Sequence, residues 1–540
     1  MIKETDHFFF QNNKIKFLDF PIFFAKIKDS LERDEKISLV KQYNHWIQNQ
    51  TIKIENNGSI LKIFNFPKDK EILLDQTMSY TKLGAEFSAD PKNDDTRHFL
   101  FLRKEYLELR NGLLIRLIEF LENNIRKPYK IIQPKQNIQF LDLQYRGPPL
   151  WQHQNEALAV CLNKQNGLVF IPTGGGKTFL MTKLTAERNV KTNIFINSVD
   201  VAYQLLEAFE KNLSEPIGFI GDQTVDICAY INIILLPTAY LALQKTGCKI
   251  LTENKIAIES EYNFKEIKIP ERYHEIVEII KQADMSLFDE TDVLGAKTYA
   301  IVSQNTNSYY NFGFSATPWR NDGKDMEIEA GLGRKIFEIS MQELIDQNIL
   351  VPAKIHILEI PGDISPVPKA YPSIFKLCIV NNETRNLMIR DICLNEVGNK
   401  GIILVNRLYH GRNLKKILTA VGLNVTFIHG DHSIVHRKKA ITLLETGELD
   451  VIITTLFARG TNIPSLDYLI RACAEGTTPT GKPNTNLIQM TGRVIRSFKH
   501  KTEGRIYDFY DPYPKLLDHS KARVFTYESE PAFKIIWKKL

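Results

Sequence analysis

The segment FIPTGGGKT, residues 170–178, places three glycines, a lysine and a threonine at the end of the apolar run GLVFI. A glycine-rich turn between a strand and a helix allows backbone N–H groups to close on a polyphosphate. A lysine at this point neutralises phosphate charge, and the hydroxyl after it ligates magnesium. The segment predicts a nucleotide-binding loop, although Ile171 stands where the strict phosphate-loop pattern has glycine. The expected contacts are Thr173, Gly174, Gly175, Gly176, Lys177 and Thr178.

Such a loop alone fits a kinase, a transporter ATPase, a GTPase or a motor, so other residues must decide between them. About a hundred residues later, the apolar run MSLFD ends in Asp289 and is followed by Glu290. An acid at the carboxyl end of a parallel strand beside a phosphate loop can hold magnesium, and its neighbour can polarise the attacking water. We therefore expect Thr178 and Asp289 to support magnesium and Glu290 to activate water.

Two further segments carry groups that could respond to a bound phosphate. FGFSATPWR places the hydroxyls of Ser315 and Thr317 on the turn after another apolar run. QMTGRVIR places Arg493 and Arg496 three residues apart. On a helix, this spacing would project both guanidinium groups from one face, where they could reach a γ-phosphate across a cleft.

Apolar runs and helical patterns alternate along most of the chain. GLVFI, TNIFIN, INIILL, MSLFD and NFGFS form one series, and AKIHILEI, GIILV, NVTFI, DVIITT, DYLIRA and RIYDFYD form a second. This alternation is typical of βαβ units in a parallel sheet. We expect an α/β fold with two tandem parallel-sheet lobes after a small α+β domain. The expected ranges are 1–147 for the accessory domain with its linker, 148–345 and 346–518 for the lobes, and 519–540 for a tail.

The composition is that of an ordinary globular protein, with 43% hydrophobic and 24% charged residues. A formal net charge of +6 over 540 residues is too small to identify a nucleic-acid binder by itself. The six cysteines contain no C-x-x-C pair, which argues against a zinc site or a disulfide framework. Apolar stretches stay below membrane-spanning length, and the amino end lacks the apolar core of a signal peptide. We therefore expect a cytoplasmic protein without a membrane partner.

Taken in order, these segments resemble the superfamily-two helicases and translocases, over about residues 148–515. The resemblance is carried by LWQHQNEAL, PTGGGKT, DETD, SATP, GTNIP and QMTGRVIR. Within that family, the stretch from KTYAIVS to FEIS is similar to the branch with the xeroderma-type repair helicase and the phage branch-migration helicases. The chain departs from the family pattern at Asp292, where relatives often have histidine, and at Trp151 and His153 before the glutamine.

The resemblance implies RecA-like lobes, ATP and Mg²⁺ as cofactors, and a role for each matching residue. Gln154 would read the adenine, and Gly460 and Asn462 of the GTNIP segment would contact nucleotide. Ser315 and Thr317 would couple the ATP state to the nucleic-acid groove. From the second lobe, Gln489, Arg493 and Arg496 would act on the phosphates, the arginines as fingers that stabilise transition-state charge.

A nucleic-acid track is expected at the top of both sheets, where polar residues follow the apolar runs. Hydroxyls and backbone N–H groups in such positions contact phosphate and sugar and do not read base identity. The residues expected to contact the strand are Ser198, Thr238, His429, Gly430, Thr454 and Thr455.

These features favour an ATP-dependent DNA helicase or translocase that acts on single-stranded, forked or branched DNA, and we expect it to work as a monomer. The 3′ to 5′ direction follows from the resemblance alone. The alternative is an RNA helicase or transcript-release translocase, which differs in whether RNA stimulates ATP turnover. A binding module with a degenerate ATPase is disfavoured because Lys177, Asp289, Glu290 and Arg493 are all present. The aromatic and basic amino end, HFFFQNNKIKF, is compatible with a DNA grip or with a small core.

Overall fold

The computed structural model describes most of the chain. The described residues are 8–11, 14–17, 32–38, 40–41, 51–81, 96–125, 127–133, 138–247, 270–291, 296–317, 325–456, 463, 465–474, 483–499 and 501–538. They form two compact units. Those of the first unit lie within Met1–Thr81 and Asp94–Asn137, and those of the second within Ile138–Leu251 and Glu259–Leu540.

The first unit is an α+β domain built on a sheet whose described strands run in the order β7-β8-β4-β3-β9. Its strands are β1 (Phe8–Gln11), β2 (Lys14–Phe17), β3 (Ile52–Asn56), β4 (Ile60–Phe64), β5 (Ser79–Thr81), β6 (Thr96–His98), β7 (Phe101–Leu102), β8 (Leu107–Arg110) and β9 (Tyr129–Ile132). Its helices include α1 (Glu71–Thr77) and α2 (Leu114–Asn124), with a further helical stretch at 33–38 and 3₁₀ turns at Lys68–Lys70 and Asn111–Leu113. Leu117 and Phe120 of α2 are buried, as are alternate residues of β3 and β4. One face of the sheet therefore packs on a core.

The second unit begins with a doubly wound lobe. Its strands are β10 (Asn166–Phe170), β11 (Thr192–Ile196), β12 (Gly218–Gly221), β13 (Thr224–Asp226), β14 (Ile231–Leu235), β15 (Met285–Asp289), β16 (Tyr310–Ser315) and β17 (Lys335–Glu338). Its helices are α3 (Gln152–Leu162), α4 (Lys177–Arg188), α5 (Val199–Asn212), α6 (Leu236–Lys245), α7 (Glu271–Gln282), α8 (Ala296–Asn305), α9 (Asp325–Leu332) and α10 (Met341–Asp346).

The described strands of this first lobe run in the order β13-β12-β14-β11-β15-β16-β10-β17. All neighbours are parallel except β12 and β13. Every residue of β11, β14 and β15 is buried, as expected for parallel strands that are covered on both faces. Parallel pairing brings the carboxyl ends of β10, β15 and β16 to one edge, where the phosphate loop begins.

The second lobe is an all-parallel sheet in the described order β20-β21-β19-β22-β23-β18-β24. Its strands are β18 (Ala353–Glu359), β19 (Gly401–Leu404), β20 (Val425–Ile428), β21 (Val451–Thr454), β22 (Tyr468–Arg471), β23 (Gly504–Tyr510) and β24 (Phe533–Lys538). Its helices are α11 (Tyr371–Phe375), α12 (Glu383–Asn395), α13 (Leu408–Ala420), α14 (Ile434–Thr446), α15 (Thr485–Val494) and α16 (Leu516–Glu528), with a π-helix at Lys376–Val380. The expected pair of tandem parallel-sheet lobes is thus confirmed.

The expectation of a separate tail over 519–540 is corrected by α16 and β24. The boundary at 518 falls inside α16, and β24 pairs with β18 along the edge of the second sheet. Buried charges hold α16 to the sheet: Arg523 Nε lies 3.1 Å from Asp508 Oδ2, and Tyr527 donates its hydroxyl to the same oxygen at 2.9 Å. Burial would raise the pKa of Asp508, but Arg523 and Arg471 hold it below its usual value. These residues are part of the second lobe.

The other end of the second unit also differs from the expected boundary at 147. The backbone N–H of Leu141 donates to the carbonyl of Asn189 at 2.8 Å, just after α4. The N–H of Leu143 donates to the side chain of the same asparagine at 2.8 Å. Residues from Ile138 onward therefore pack with the first lobe.

Candidate active site

The predicted phosphate loop connects β10 to α4 in a conformation that needs glycine. Gly174 and Gly176 have φ angles of +93° and +78°, which side chains rarely adopt. The Nζ of Lys177, at the start of α4, donates to the carbonyl oxygen of Ile171 at 2.8 Å. Ile171 itself is fully buried in the core. The loop therefore forms without the glycine that the strict pattern has at position 171.

Two side chains of α3 form hydrogen bonds with carbonyl oxygens of this loop. His153 Nε2 lies 2.9 Å from the carbonyl oxygen of Gly175. Gln154 Nε2 donates to the carbonyls of Gly175 and Gly176 at 3.3 and 3.0 Å, while its Oε1 accepts the N–H of Trp151 at 2.8 Å. Both side chains are buried. In this structure, the amide of Gln154 is directed at the loop, whereas Trp151 is 44% exposed.

The acidic pair and the SAT segment lie on strands adjacent to the loop. Asp289 ends β15, and Glu290 follows with a left-handed φ of +52°, its N–H donating to Asp289 Oδ1 at 2.9 Å. Ser315 ends β16, and its carbonyl accepts the N–H of Ile171 at 3.0 Å. The hydroxyl of Ser315 accepts the N–H of Thr317 at 3.2 Å. Main-chain hydrogen bonds thus tie the SAT segment to the base of the phosphate loop.

The second lobe reaches this loop through α15 and the residues after it. A Cβ added at Gly492 would lie 3.0 Å from Thr173 Cβ, and one at Gly174 would lie 3.1 Å from Arg496 Cγ. The expectation that both arginines lie on one helix is corrected, because α15 ends at Val494 and Arg496 forms an isolated bridge with Leu350. This bridge draws the chain out of the helix, yet both arginines reach the same site.

Both guanidinium groups are partly buried beside the acidic pair. Burial lowers the pKa of Arg493, although the charge of Glu290 opposes this effect. Burial and the neighbouring charge of Arg493 lower the pKa of Arg496 to about 10. Arg496 is therefore cationic at neutral pH, and the charge of Glu290 favours the cationic form of Arg493. Their mutual repulsion would be relieved by an anion placed between them.

A cavity of about 860 Å³ lies between the lobes at this point. It is lined by six of the predicted loop and strand-end residues, namely Thr173, Gly174, Gly176, Lys177, Thr178 and Asp289, and also by Glu290, Gln489, Arg493 and Arg496. Further lining residues were not predicted from the sequence: Trp151, Gln152, Phe179, Val201, Gln204, Ala316, Gln347, Asn348, Ile349 and Ser497. Trp151 and Gln152 lie within LWQHQNEAL and so had a sequence signal, whereas Gln347–Ile349 lie in no quoted motif.

The residues expected to contact nucleic acid lie at the carboxyl edge of each sheet. Ser198 is the N-cap of α5 after β11, and Thr238 lies in the first turn of α6 after β14, the neighbouring strand. In the second lobe, His429 and Gly430 follow β20, while Thr454 and Thr455 lie at the end of the neighbouring β21. Thr454 is buried, and its hydroxyl accepts the N–H of Leu456 at 3.0 Å. Gly460 and Asn462 lie outside the described residues.

Two family models match the chain. The model described as "Type III restriction enzyme, res subunit" matches residues 148–320, and the model described as "Helicase conserved C-terminal domain" matches residues 384–498. The first match covers most of the first lobe, including the phosphate loop, and ends before α9; the second covers most of the second lobe, including both arginines. No helix among the described residues is long and apolar enough to cross a membrane.

Named relatives agree with these models. "Putative helicase 22" of Sulfolobus islandicus filamentous virus is 24% identical over 74% of this chain and 71% of its own length. "DNA 3'-5' translocase XPB2" of Sulfurisphaera tokodaii is 26% identical over 48% of each chain. This chain thus spans about half the length of the archaeal relative.

A solved structure shares the fold. The "ATP-dependent Type ISP restriction-modification enzyme LlaBIII bound to DNA" aligns with a TM-score of 0.50 at 12% identity, covering 73% of this chain and 32% of the other. The two matched models, the helicase-named relatives and the two RecA-like lobes around a phosphate loop support ATP-dependent helicase activity, and this chain resembles the superfamily-two helicases, with XPB-type and viral helicases among its relatives.

Proposed function

We propose that this ATPase is a motor that moves on DNA in the 3′ to 5′ direction and unwinds or remodels forked or branched DNA. The observation that carries the proposal is the approach of Arg493 and Arg496 to the phosphate loop across the two lobes. A nucleotide in this cavity would contact both lobes at once. ATP then favours the closed cleft, and hydrolysis removes that preference, so each cycle can move one lobe relative to the other.

Each charged group around the cavity has a role in hydrolysis under this proposal. Lys177 neutralises the phosphates, and Thr178 and Asp289 supply the oxygen ligands that Mg²⁺ prefers. Bound Mg²⁺ would neutralise charge on the β- and γ-phosphates. Glu290 orients or deprotonates the attacking water, and the two arginines stabilise the charge that develops on the γ-phosphoryl group. Gln489, buried on α15, positions this helix, which carries Arg493, against the phosphates.

The base end of the nucleotide is assigned to Trp151. The amide of Gln154 is already hydrogen-bonded to the loop, so we give it the role of holding the phosphate loop in shape. Trp151 lines the cavity and presents an exposed ring on which adenine can stack. Gln152, its neighbour in the cavity lining, can supply polar contacts to the base edge. Reading of adenine by Gln154, implied by the family resemblance, would first need its loop bonds to open.

The proposed track runs along the carboxyl edges of both sheets, over Ser198, Thr238, His429, Gly430 and Thr455. Residues of this kind contact the phosphates and sugars of the strand and not its bases, so we expect little sequence preference. DNA as the track and the 3′ to 5′ direction are supported by the relative that is named a DNA 3'-5' translocase. Ser315 and Thr317 connect the track to the nucleotide through their hydrogen bonds at the end of β16.

The first unit is proposed as an accessory grip on forked or branched DNA, and the whole chain as a monomeric motor.

One comparison tests the function as a whole: ATP hydrolysis with single-stranded DNA, forked DNA, a four-way junction and RNA, each at matched nucleotide concentration. We expect the DNA ligands to stimulate turnover, and forks or junctions to be separated or migrated only with ATP. Stimulation by RNA alone would replace this proposal with an RNA helicase or a transcript-release translocase.

A further inference from the structure

The five-stranded sheet of the first unit has a second face that is turned away from its core. Ile52 and Ile54 of β3, and Leu61 and Ile63 of β4, are fully buried. Because side chains alternate along a strand, the residues between them lie on the opposite face. We call this the aromatic–lysine face and define it by Lys53, Lys62, Phe64, Tyr106 and Lys130.

The rings and the lysines of this face lie beside one another. The ring centroids of Phe64 and Tyr106 are 5.4 Å apart. Lys53 is the register partner of Phe64, and its Nζ lies 5.4 Å from that ring centroid. Lys62 Nζ lies 5.1 Å from the centroid of Tyr106. Lys130 of β9 is the register partner of Lys53 and extends the cationic row by one strand.

The aromatic–lysine face is accessible and positively charged. The side chain of Lys53 is 45% exposed, Lys130 is exposed, and Lys62 and both rings are half-buried. Glu55 lies on the same face, opposite Lys62, and forms an ion pair with Lys53. The face therefore carries the three positive charges of its lysines and the one negative charge of Glu55. Glu108, the next acid along the row, is mostly buried and is held by Arg103 at 3.2 Å. The charge of this face is therefore complementary to phosphate.

We propose that the aromatic–lysine face binds an unpaired stretch of nucleic acid. Exposed bases stack on Phe64 and Tyr106, and the backbone phosphates contact Lys53, Lys62 and Lys130. Aromatic rings bind any base through its π face, while cationic side chains follow the backbone. A duplex hides the faces of its bases and would use the lysines alone. This inference rests on the proposed function, to which it adds a second, strand-separated grip outside the two lobes.

The proposal is tested on the full chain with a fluorescent oligothymidine of about 12 nucleotides, a length within the range of one single-strand site. Combined Phe64→Ala and Tyr106→Ala substitution should weaken binding by roughly tenfold or more. Phe64→Tyr and Tyr106→Phe keep the rings and should bind as the wild type does. Lys68→Ala removes an exposed lysine from a 3₁₀ turn of the same unit and serves as the charge control. Photo-crosslinking with 4-thiothymidine should label Phe64 or Tyr106 in the wild type.

The readouts separate this inference from the proposed function. If no nucleic acid stimulates hydrolysis by the wild type, the proposed function fails. If DNA stimulates hydrolysis but the double alanine variant binds the oligonucleotide normally, only the inference is wrong. Equal losses for oligonucleotide and blunt duplex would make this face a duplex grip and overturn it as well. Should the double alanine variant fail to fold, combined Lys53→Glu and Lys130→Glu substitution repeats the test at exposed positions, with crosslinking to the two rings as the second measurement.

Discussion

Arg437 of the second lobe and Asp200 of the first form an ion pair across the cleft, with Nη1 3.2 Å from Oδ2. Arg437 also donates through Nε to the carbonyl of His432 at 2.9 Å. Asp200 lies in the first turn of α5, two residues after Ser198, and Arg437 lies in α14, shortly after Gly430. The pair therefore joins the two segments that are proposed to contact nucleic acid. Exposed pairs contribute only about 0.2–1 kcal/mol, so an arriving phosphate can displace the carboxylate.

We expect the two members of this pair to have opposite effects on DNA binding. Asp200→Asn removes a negative charge from the proposed track and should raise affinity for single-stranded DNA a few-fold at low salt. Arg437→Ala should lower that affinity and reduce the slope of log Kd against log salt by about one. The measurement is fluorescence anisotropy over a salt series. Lys416→Ala, on the second half of α13, removes a positive charge from an exposed position and serves as the control. Identical salt slopes for Arg437→Ala and wild type would remove Arg437 from the track.

Lys177→Ala and Glu290→Gln should both abolish ATP turnover, but at different steps. The first removes the ammonium at the start of α4 and should weaken nucleotide binding. The second keeps the shape of the side chain and should preserve binding while lowering kcat by roughly 10² or more. Binding of a fluorescent ATP analogue and steady-state hydrolysis distinguish the two. Normal turnover by Glu290→Gln would exclude Glu290 from water activation.

Arg493→Ala and Arg496→Ala should each leave the lobes folded and lower kcat by up to about 10³, the effect of losing an arginine finger. Arg493 faces the charge of Glu290, and Arg496 packs over Gly174, so both are held beside the proposed phosphate position. Ser497→Ala changes a cavity-lining residue without loss of charge and is the matched control. Unchanged kcat in both arginine variants, measured at saturating ATP and DNA, would reduce them to a packing role.

The strands, the phosphate loop and the residues at the strand ends could be predicted because each depends on a short stretch of sequence. Apolar runs such as INIILL are buried on both faces and read as central parallel strands. The glycines at 174 and 176 occupy the left-handed conformations that a tight phosphate loop needs. Asp289 and Ser315 end neighbouring strands, so their meeting at one edge follows from parallel pairing.

The remaining features depend on contacts between distant parts of the chain. The pairing of β24 with β18 joins residues about 180 positions apart, and it turns the expected tail into an edge strand. The bond between Gln154 and the loop carbonyls depends on how α3 packs against α4, which no pattern in LWQHQNEAL reveals. The departure of Arg496 from the helix follows from its bridge with Leu350. In each of these cases, contacts between distant residues determined the structure and overrode the local preferences of the sequence.

Deleting residues 1–137 should spare DNA-stimulated ATPase activity and reduce action on forks or junctions. The first unit has its own core, and the described residues of the second unit begin at Ile138. A matched deletion of 1–147 also removes the contacts of Leu141 and Leu143 with Asn189, and should destabilise the first lobe by about 2–3 kcal/mol. Thermal unfolding and fork unwinding are the measurements. Full fork activity in the shorter deletion would show that the first unit is not an accessory grip.

His410 should make the second lobe less stable as the pH falls below neutrality. The side chain is buried, with Nε2 3.0 Å from Asn386 Oδ1, and burial together with the charge of Arg385 lowers its pKa from 6.5 to about 3. The unfolded chain takes up a proton at this histidine below about pH 6.5, whereas the folded lobe does not until about pH 3. Unfolding is therefore favoured by about 1.4 kcal/mol for each pH unit within that window, and the effect is absent above it.

His410→Gln keeps a hydrogen-bond donor toward Asn386 without a titrating ring, so its unfolding free energy should fall less steeply between about pH 6.5 and pH 4.5 than that of the wild type. His436→Gln, at an exposed position on α14, should retain the wild-type slope. Equal slopes for all three proteins in denaturant titrations would place the acid sensitivity elsewhere in the lobe.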